Sequence, residues 1–286
     1  RVSVPVLSEQ MTDAEPSVST RSRSRPSSSP TSRADADRTR GGGKRGWTLP
    51  FGATPAWLAA MTYDDANTPD EAYESDRPGR LLRTERDALI PLLRSTADEA
   101  FAAPTCCPGW SVRDVLAHCS AALSRVIESR FEEGVFTAEG NDRDIAERAH
   151  WPTSRIVDEL EHGMTNAGAA IAASKGLFDG VALGEWVHAG DVRDAWGLPG
   201  AYGGDGLADA LPLLTAFSKQ SSAPPLHADV DGFDEPLILG VTDGSRPPAR
   251  YIGDAPTLVR LYAGRPLSDS KFELAGATQE ELSIFS

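Results

Sequence analysis

Apolar residues recur at helical spacing through most of residues 79–220 and give way to short alternating runs beyond 225. Within 79–102, Leu82, Leu89, Leu93 and Ala97 fall near one helical face, and Pro91 interrupts the pattern as a helix breaker. After the loop APTCCPGW, Ser111 and Asp114 have the spacing of a capping box. The stripe Val112, Val115, Leu116, Cys119, Ala122, Leu123 and Val126 then predicts a helix over 111–130. The polar stretch 131–152 predicts a loop-rich connection, and 153–174 a third helix weakened by Gly163 and Gly168. A fourth helix is expected over 181–196, stopping at Gly197 with Pro199 close behind. A fifth is expected over 205–219, around Pro212. Beyond SSAPP, strand-like runs at 226–232, 236–242 and 249–252 are separated by turn signals. An amphipathic helix over 255–265 and the strand-like KFELAG follow, so 225–286 reads as a small α/β C-terminal domain.

Composition separates the N-terminal segment from the rest. Residues 1–52 carry nine Lys/Arg against five Asp/Glu, are rich in Ser, Arg, Pro and Gly, and show no apolar periodicity. Such a segment buries too little surface to offset its ordering entropy, and a disordered tail over 1–74 is expected. The remainder carries 19 basic against 37 acidic residues, which argues against a nucleic-acid partner because phosphates would be repelled. No apolar run is long enough to span a bilayer. Cys106, Cys107 and Cys119 make neither a disulfide framework nor a C-x-x-C zinc ribbon, and a reducing cytoplasm suits them. Arg outnumbers Lys 24 to 4, a bias expected of a genome rich in G and C.

The chemistry centres on two histidines. His118 lies on the flank of the buried stripe of the second helix. His188 lies in the fourth, with Glu185 three residues before it and Asp191 three after, so both carboxylates share its face. Two imidazoles and a carboxylate make a catalytic zinc site that keeps a position open. Asp191 is either an alternative ligand or the acceptor that orients the His188 ring. The opposing reading is a core histidine satisfied beside an apolar stripe. His150, His162 and His227 lie in polar surroundings and read as surface residues, and the cluster Gly203, Gly204 and Gly206 lacks the marks of a phosphate loop.

The run CPGWSVRDVLAH at 107–118, followed by EWVHAGDVRDAWGLP at 185–199, closely resembles the mycothiol-dependent maleylpyruvate isomerase-like proteins of actinobacteria, within the DinB-like metalloprotein superfamily. The stretch APTLVRLYAGRPLSDSKFELAG at 255–276 is similar to their small C-terminal domain. The resemblance implies a mainly α fold: a DinB-like up-down four-helix bundle over 75–220, then the small α/β domain over 225–286. It implies one divalent metal, usually zinc, with His118 and His188 matching the ligand histidines, and mycothiol as the thiol used beside it. The family pattern places the acidic ligand four residues before the second histidine; here that position is Gly184, and Glu185 would substitute. A metal-held thiolate adds to an activated double bond, the bond rotates, and elimination regenerates the thiol. Arg193 is the candidate partner for a substrate carboxylate. The expected activity is therefore a metal-dependent, thiol-using isomerase or transferase. Its partners would be a small electrophile and a low-molecular-weight thiol, with no nucleic acid and no membrane, and it would act as a monomer or homodimer. The alternative, favoured by Gly184, is a non-catalytic, metal-stabilised binding module.

Overall fold

A computed structural model describes residues 76–132 and 134–285; the tail expected over 1–74 lies outside the described residues. Helix α1 (Arg77–Ser95) opens with a proline in its first turn, where the missing amide costs nothing. It runs through Pro91, which is exposed, so water can serve the carbonyl that loses its amide partner. The remainder of the expected first segment is a separate 3₁₀ turn, Asp98–Ala102, which buries Phe101. Helix α2 (Val112–Glu128) begins at the capping box read from the sequence: Ser111 accepts from the Asp114 amide, and the Asp114 carboxylate accepts from the Ser111 amide.

Helices α4 (Thr153–Ala173) and α5 (Asp179–Ala195) complete a four-helix bundle in which α4 and α5 each pack on both α1 and α2. The two glycines that weaken α4 in the sequence have a packing reason. A Cβ on Gly163 would lie 2.6 Å from the Leu123 Cβ of α2, and one on Gly168 would lie 2.8 Å from the Gly79 Cα of α1. Glycine here lets the helices approach more closely than any side chain allows. Gly163→Ala should therefore cost about 1–3 kcal/mol by overpacking, read as a lower urea midpoint at unchanged slope. A neutral or stabilising result would show that the two helices can part freely.

The connection over 131–152 differs from expectation, because it contains helix α3 (Ala138–Glu147), capped by Thr137. The buried residues of α3 are Gly140, Asn141 and Asp144, so it has no apolar stripe to read. Polar pairing holds it instead. Asp144 accepts from Arg125 of α2 at 3.2 Å, with both side chains buried. Just beyond α3, Arg148 donates twice to Glu159 of α4, at 2.6 and 2.8 Å, and Ser120 and Ser124 donate to the same carboxylate. Burial alone would raise the Glu159 pKa, but Arg148 and the two hydroxyls outweigh it and hold the group below its ordinary value. Glu159 is thus more acidic in the folded chain than in the unfolded one. Its stabilisation is present above the ordinary glutamate value and is lost as pH falls through the lower folded value. Glu159→Gln should flatten the acid limb of a stability–pH curve; a limb as steep as that of the parent would assign the acid sensitivity elsewhere.

Helix α5 ends at Ala195, and Gly197 follows at φ +66°, the left-handed stop anticipated for it. Helix α6 (Leu207–Gln220) leads into a four-stranded sheet of order β2-β1-β3-β4, with β1 (Leu226–Val230), β2 (Leu237–Leu239), β3 (Ala249–Gly253) and β4 (Phe272–Ala275). β1 and β3 are parallel, and β2 and β4 pair antiparallel at the edges. Helix α7 (Ala255–Tyr262) follows β3, capped by the Asp254 side chain, and α8 (Gln279–Leu282) closes the described chain. One apolar core joins Leu183, Trp186 and Val187 of α5 to α6, the sheet and α7; a second fills the bundle between α1, α2, α4 and the other side of α5. Among the described residues, no helix is long and apolar enough to cross a membrane.

Candidate metal centre

The capping box fixes the start of α2 and thereby the face on which His118 sits. In α5, every residue from Asp179 to Val192 is buried, so its polar side chains point into protein. Where the two helices meet, His118 and His188 lie with ring centroids 5.2 Å apart and planes at 80°. Trp110, just before the α2 cap, covers both rings, 5.1 Å from His118 and 6.2 Å from His188. Glu185, one turn before His188, opens on the same cavity. That cavity is lined by His118 and Ala122 of α2, by Gly184, Glu185 and His188 of α5, and by Phe136 and Asn141 before and within α3. Its volume of about 30 Å³ has room for an ion with one or two waters.

Burial favours the neutral forms of the ionisable groups at this pocket. Burial lowers the His118 pKa well below its ordinary value, and the neighbouring His188 and Arg148 add to the effect. Burial also lowers that of His188, against an opposing pull from Asp191. Burial drives Glu185 well upward, opposed by a hydrogen bond from the Cys119 thiol. Two buried atoms at the cavity, His118 Nδ1 and Glu185 Oε2, have no hydrogen-bond partner among the described residues. Orphaned donors and acceptors of this kind are costly unless something else engages them. A divalent cation would, so the residues present fit a metal of the zinc type, which takes imidazole nitrogen and carboxylate oxygen.

Asp191 has a different part. It is fully buried, and both its oxygens are engaged. His188 Nδ1 lies 2.8 Å from Oδ2. Tyr202 donates to Oδ1 at 2.8 Å, and Arg265 donates to both oxygens at 2.8 and 2.6 Å. The thiols of Cys106 and Cys107 donate at 3.2 and 3.3 Å. Burial alone would raise the Asp191 pKa, but Arg265 and His188 overcome it and hold the carboxyl well below the usual range. The Cys107 thiol is pushed well above its ordinary value by its hydrogen bond to Cys106, then by burial and Asp191. Asp191 lies on the Nδ1 side of the His188 ring and does not line the cavity, so Glu185 is the carboxylate that faces it.

Arg193 does not line the cavity. It pairs with Glu85 of α1, whose carboxyl is raised by burial and pulled back by Arg193. The residues that sequence reasoning passed over are Cys106, Cys107, Tyr202 and Arg265. The adjacent cysteines do not have C-x-x-C spacing, and Tyr202 and Arg265 reach Asp191 from loops that carry no periodic signal. His150, His162 and His227 are exposed, as read from their surroundings.

Residues 82–199 match the family model described as Mycothiol maleylpyruvate isomerase N-terminal domain. The matched segment covers most of the bundle and includes both histidines. Two solved structures are similar at low identity. One is described as the crystal structure of the mycothiol-dependent maleylpyruvate isomerase, at 14% identity and TM-score 0.48, covering 70% of this chain and 92% of that one. The other is a point mutant of that isomerase, at 13% identity and TM-score 0.45 with the same coverage. No curated protein matches the chain.

Proposed function

We propose that the chain is a metal-dependent enzyme that uses a low-molecular-weight thiol, mycothiol in the family it resembles, to isomerise or modify a small electrophile. The observation that carries this reading is the convergence of His118, Glu185 and His188 on one cavity from helices far apart in sequence. In this reading the bundle, residues 75–220, houses the site, and the region 225–286 contributes Arg265 to its support.

His118, Glu185 and His188 would hold the ion, which when bound supplies positive charge that favours a thiolate at neutral pH and polarises a substrate carbonyl. The thiol cosubstrate supplies a nucleophile for reversible addition to an activated double bond. The chain's own residues do the rest. Asp191, accepting from His188 Nδ1, fixes the ring so that Nε2 is presented to the cavity. Arg265 and His188 favour the charged form of Asp191, and Tyr202 adds a hydrogen bond to Oδ1. Trp110 closes the wall behind both rings and keeps water from that side. Arg193, already paired to Glu85, is assigned an ion pair between α1 and α5 rather than a substrate carboxylate. Free cysteines at 106, 107 and 119 suit a reducing cytoplasm.

The test is metal analysis of the purified chain with His118→Ala and His188→Ala, alongside thiol consumption with mycothiol and a panel of electrophiles. One equivalent of zinc in the parent, lost in both variants together with turnover, is the expected result. Full occupancy in both variants would reject the site. The small cavity favours a second reading, a metal-stabilised module without catalysis; zinc binding with no turnover across the panel would select it.

A further inference from the structure

We propose that Cys106 and Cys107 form, with Asp191, a second metal-binding site, a dithiol that takes up a soft divalent ion of the zinc–cadmium type. It is separate from the histidine cavity, lies on the Nδ1 side of His188, and does not depend on the functional reading above.

The geometry is built by the loop before α2. The Thr105 amide donates to the Trp110 carbonyl at 3.0 Å, and the Trp110 amide donates to the Cys107 carbonyl at 3.0 Å. Between them Pro108 and Gly109 make the turn, with Gly109 at φ +81°, a conformation that favours glycine. The Cys107 amide donates to Thr105 Oγ1 at 3.2 Å. The main chain that carries the two thiols is thus fixed by hydrogen bonds. Both sulfurs and an Asp191 oxygen lie within 4.8 Å of one another. Cys107 is buried, and Cys106 is half-buried in a loop whose Pro104, Pro108 and Gly109 are exposed, which gives an ion a short way in.

The distances suit such an ion. Bonds of about 2.3 Å to sulfur and about 2.0–2.2 Å to oxygen at a tetrahedral angle set sulfur and oxygen about 3.5–3.7 Å apart. The Cys106 sulfur stands 3.2 Å from Asp191 Oδ1 and the Cys107 sulfur 3.3 Å from Oδ2, each close to that spacing. The charge also balances. A cation placed beside buried Arg265 would ordinarily be opposed. Here each thiol gives up the proton it donates to Asp191, two protons leave to solvent, and one dication takes their place. The net charge of the group, Asp191 and Arg265 included, is zero before and after, so no uncompensated charge is buried. Two thiolates also prefer a soft ion over magnesium or calcium.

The experiment uses the full chain, stripped of metal by chelation and titrated with cadmium. The parent should show a thiolate-to-cadmium charge-transfer band and bind two equivalents. Cys106→Ser/Cys107→Ser should lose the band and one equivalent. His118→Ala should keep the band and lose the other equivalent, which separates failure of this site from failure of the histidine site. In the parent alone, alkylation of Cys106, mapped by mass spectrometry, should slow about tenfold at cadmium ten times above its Kd. That measurement stands even if the serine variants misfold. No band in the parent, a band undiminished in the double serine variant, or alkylation unaffected by cadmium would each overturn the site.

Discussion

Arg265→Met should lower the unfolding free energy by about 3–5 kcal/mol, because it removes the cation from a buried carboxylate and leaves the charge behind. Asp191 is 0% exposed, and Arg265 gives it two of its hydrogen bonds. Tyr202 and the thiols remain as donors, but none carries a formal charge. Asp191→Asn should also be costly, since it strands the guanidinium in turn. The double variant removes both charges and should recover much of either loss. A double-mutant cycle by urea unfolding therefore gives the sharpest reading. Losses that simply add would mean that solvent reaches the pair and screens it.

Glu185→Met should change the protein in two opposite directions. The metal-free chain should gain about 1–3 kcal/mol, because a buried oxygen without a partner is replaced by an apolar group of similar length. The zinc-dependent gain in stability, about 2.7 kcal/mol at one hundred times the Kd in the parent, should vanish with the ligand. Thermal unfolding with and without zinc measures both. A variant that is less stable without metal, or that still responds fully to zinc, would mean that Glu185 is a packing residue and that the ion is held otherwise. Burial of a carboxylate that destabilises the empty fold is the usual mark of a group retained for binding rather than for folding.

The legible parts of this chain are those whose physics is local. The α2 start could be read because Ser111 and Asp114 satisfy each other's backbone amides within four residues. The end of α5 could be read because Gly197 supplies a left-handed stop. His118 and His188 could be nominated because helical spacing puts each beside a buried stripe, and the family resemblance brought them together. Helix α3 was not legible, since the side it buries is polar and is held by Arg125, a partner on another helix. The pairing of Arg193 was not legible for a related reason: Glu85 lies on α1, and nothing in the local spacing announces that the two helices touch there. Asp191 was left open between ligand and support, and the choice depends on Arg265 and Tyr202, whose approach is set by the sheet and α7 packing on α5.

The arrival of Arg265 from beyond α7 also limits how the chain can be divided. A fragment ending after α6 would keep all three candidate ligands yet lack the counterion that keeps His188's support ionised. Shuffling this bundle onto a foreign C-terminal half would succeed only if the replacement presented a guanidinium at the same spot. The two halves are therefore best treated as one inheritable cassette in protein engineering.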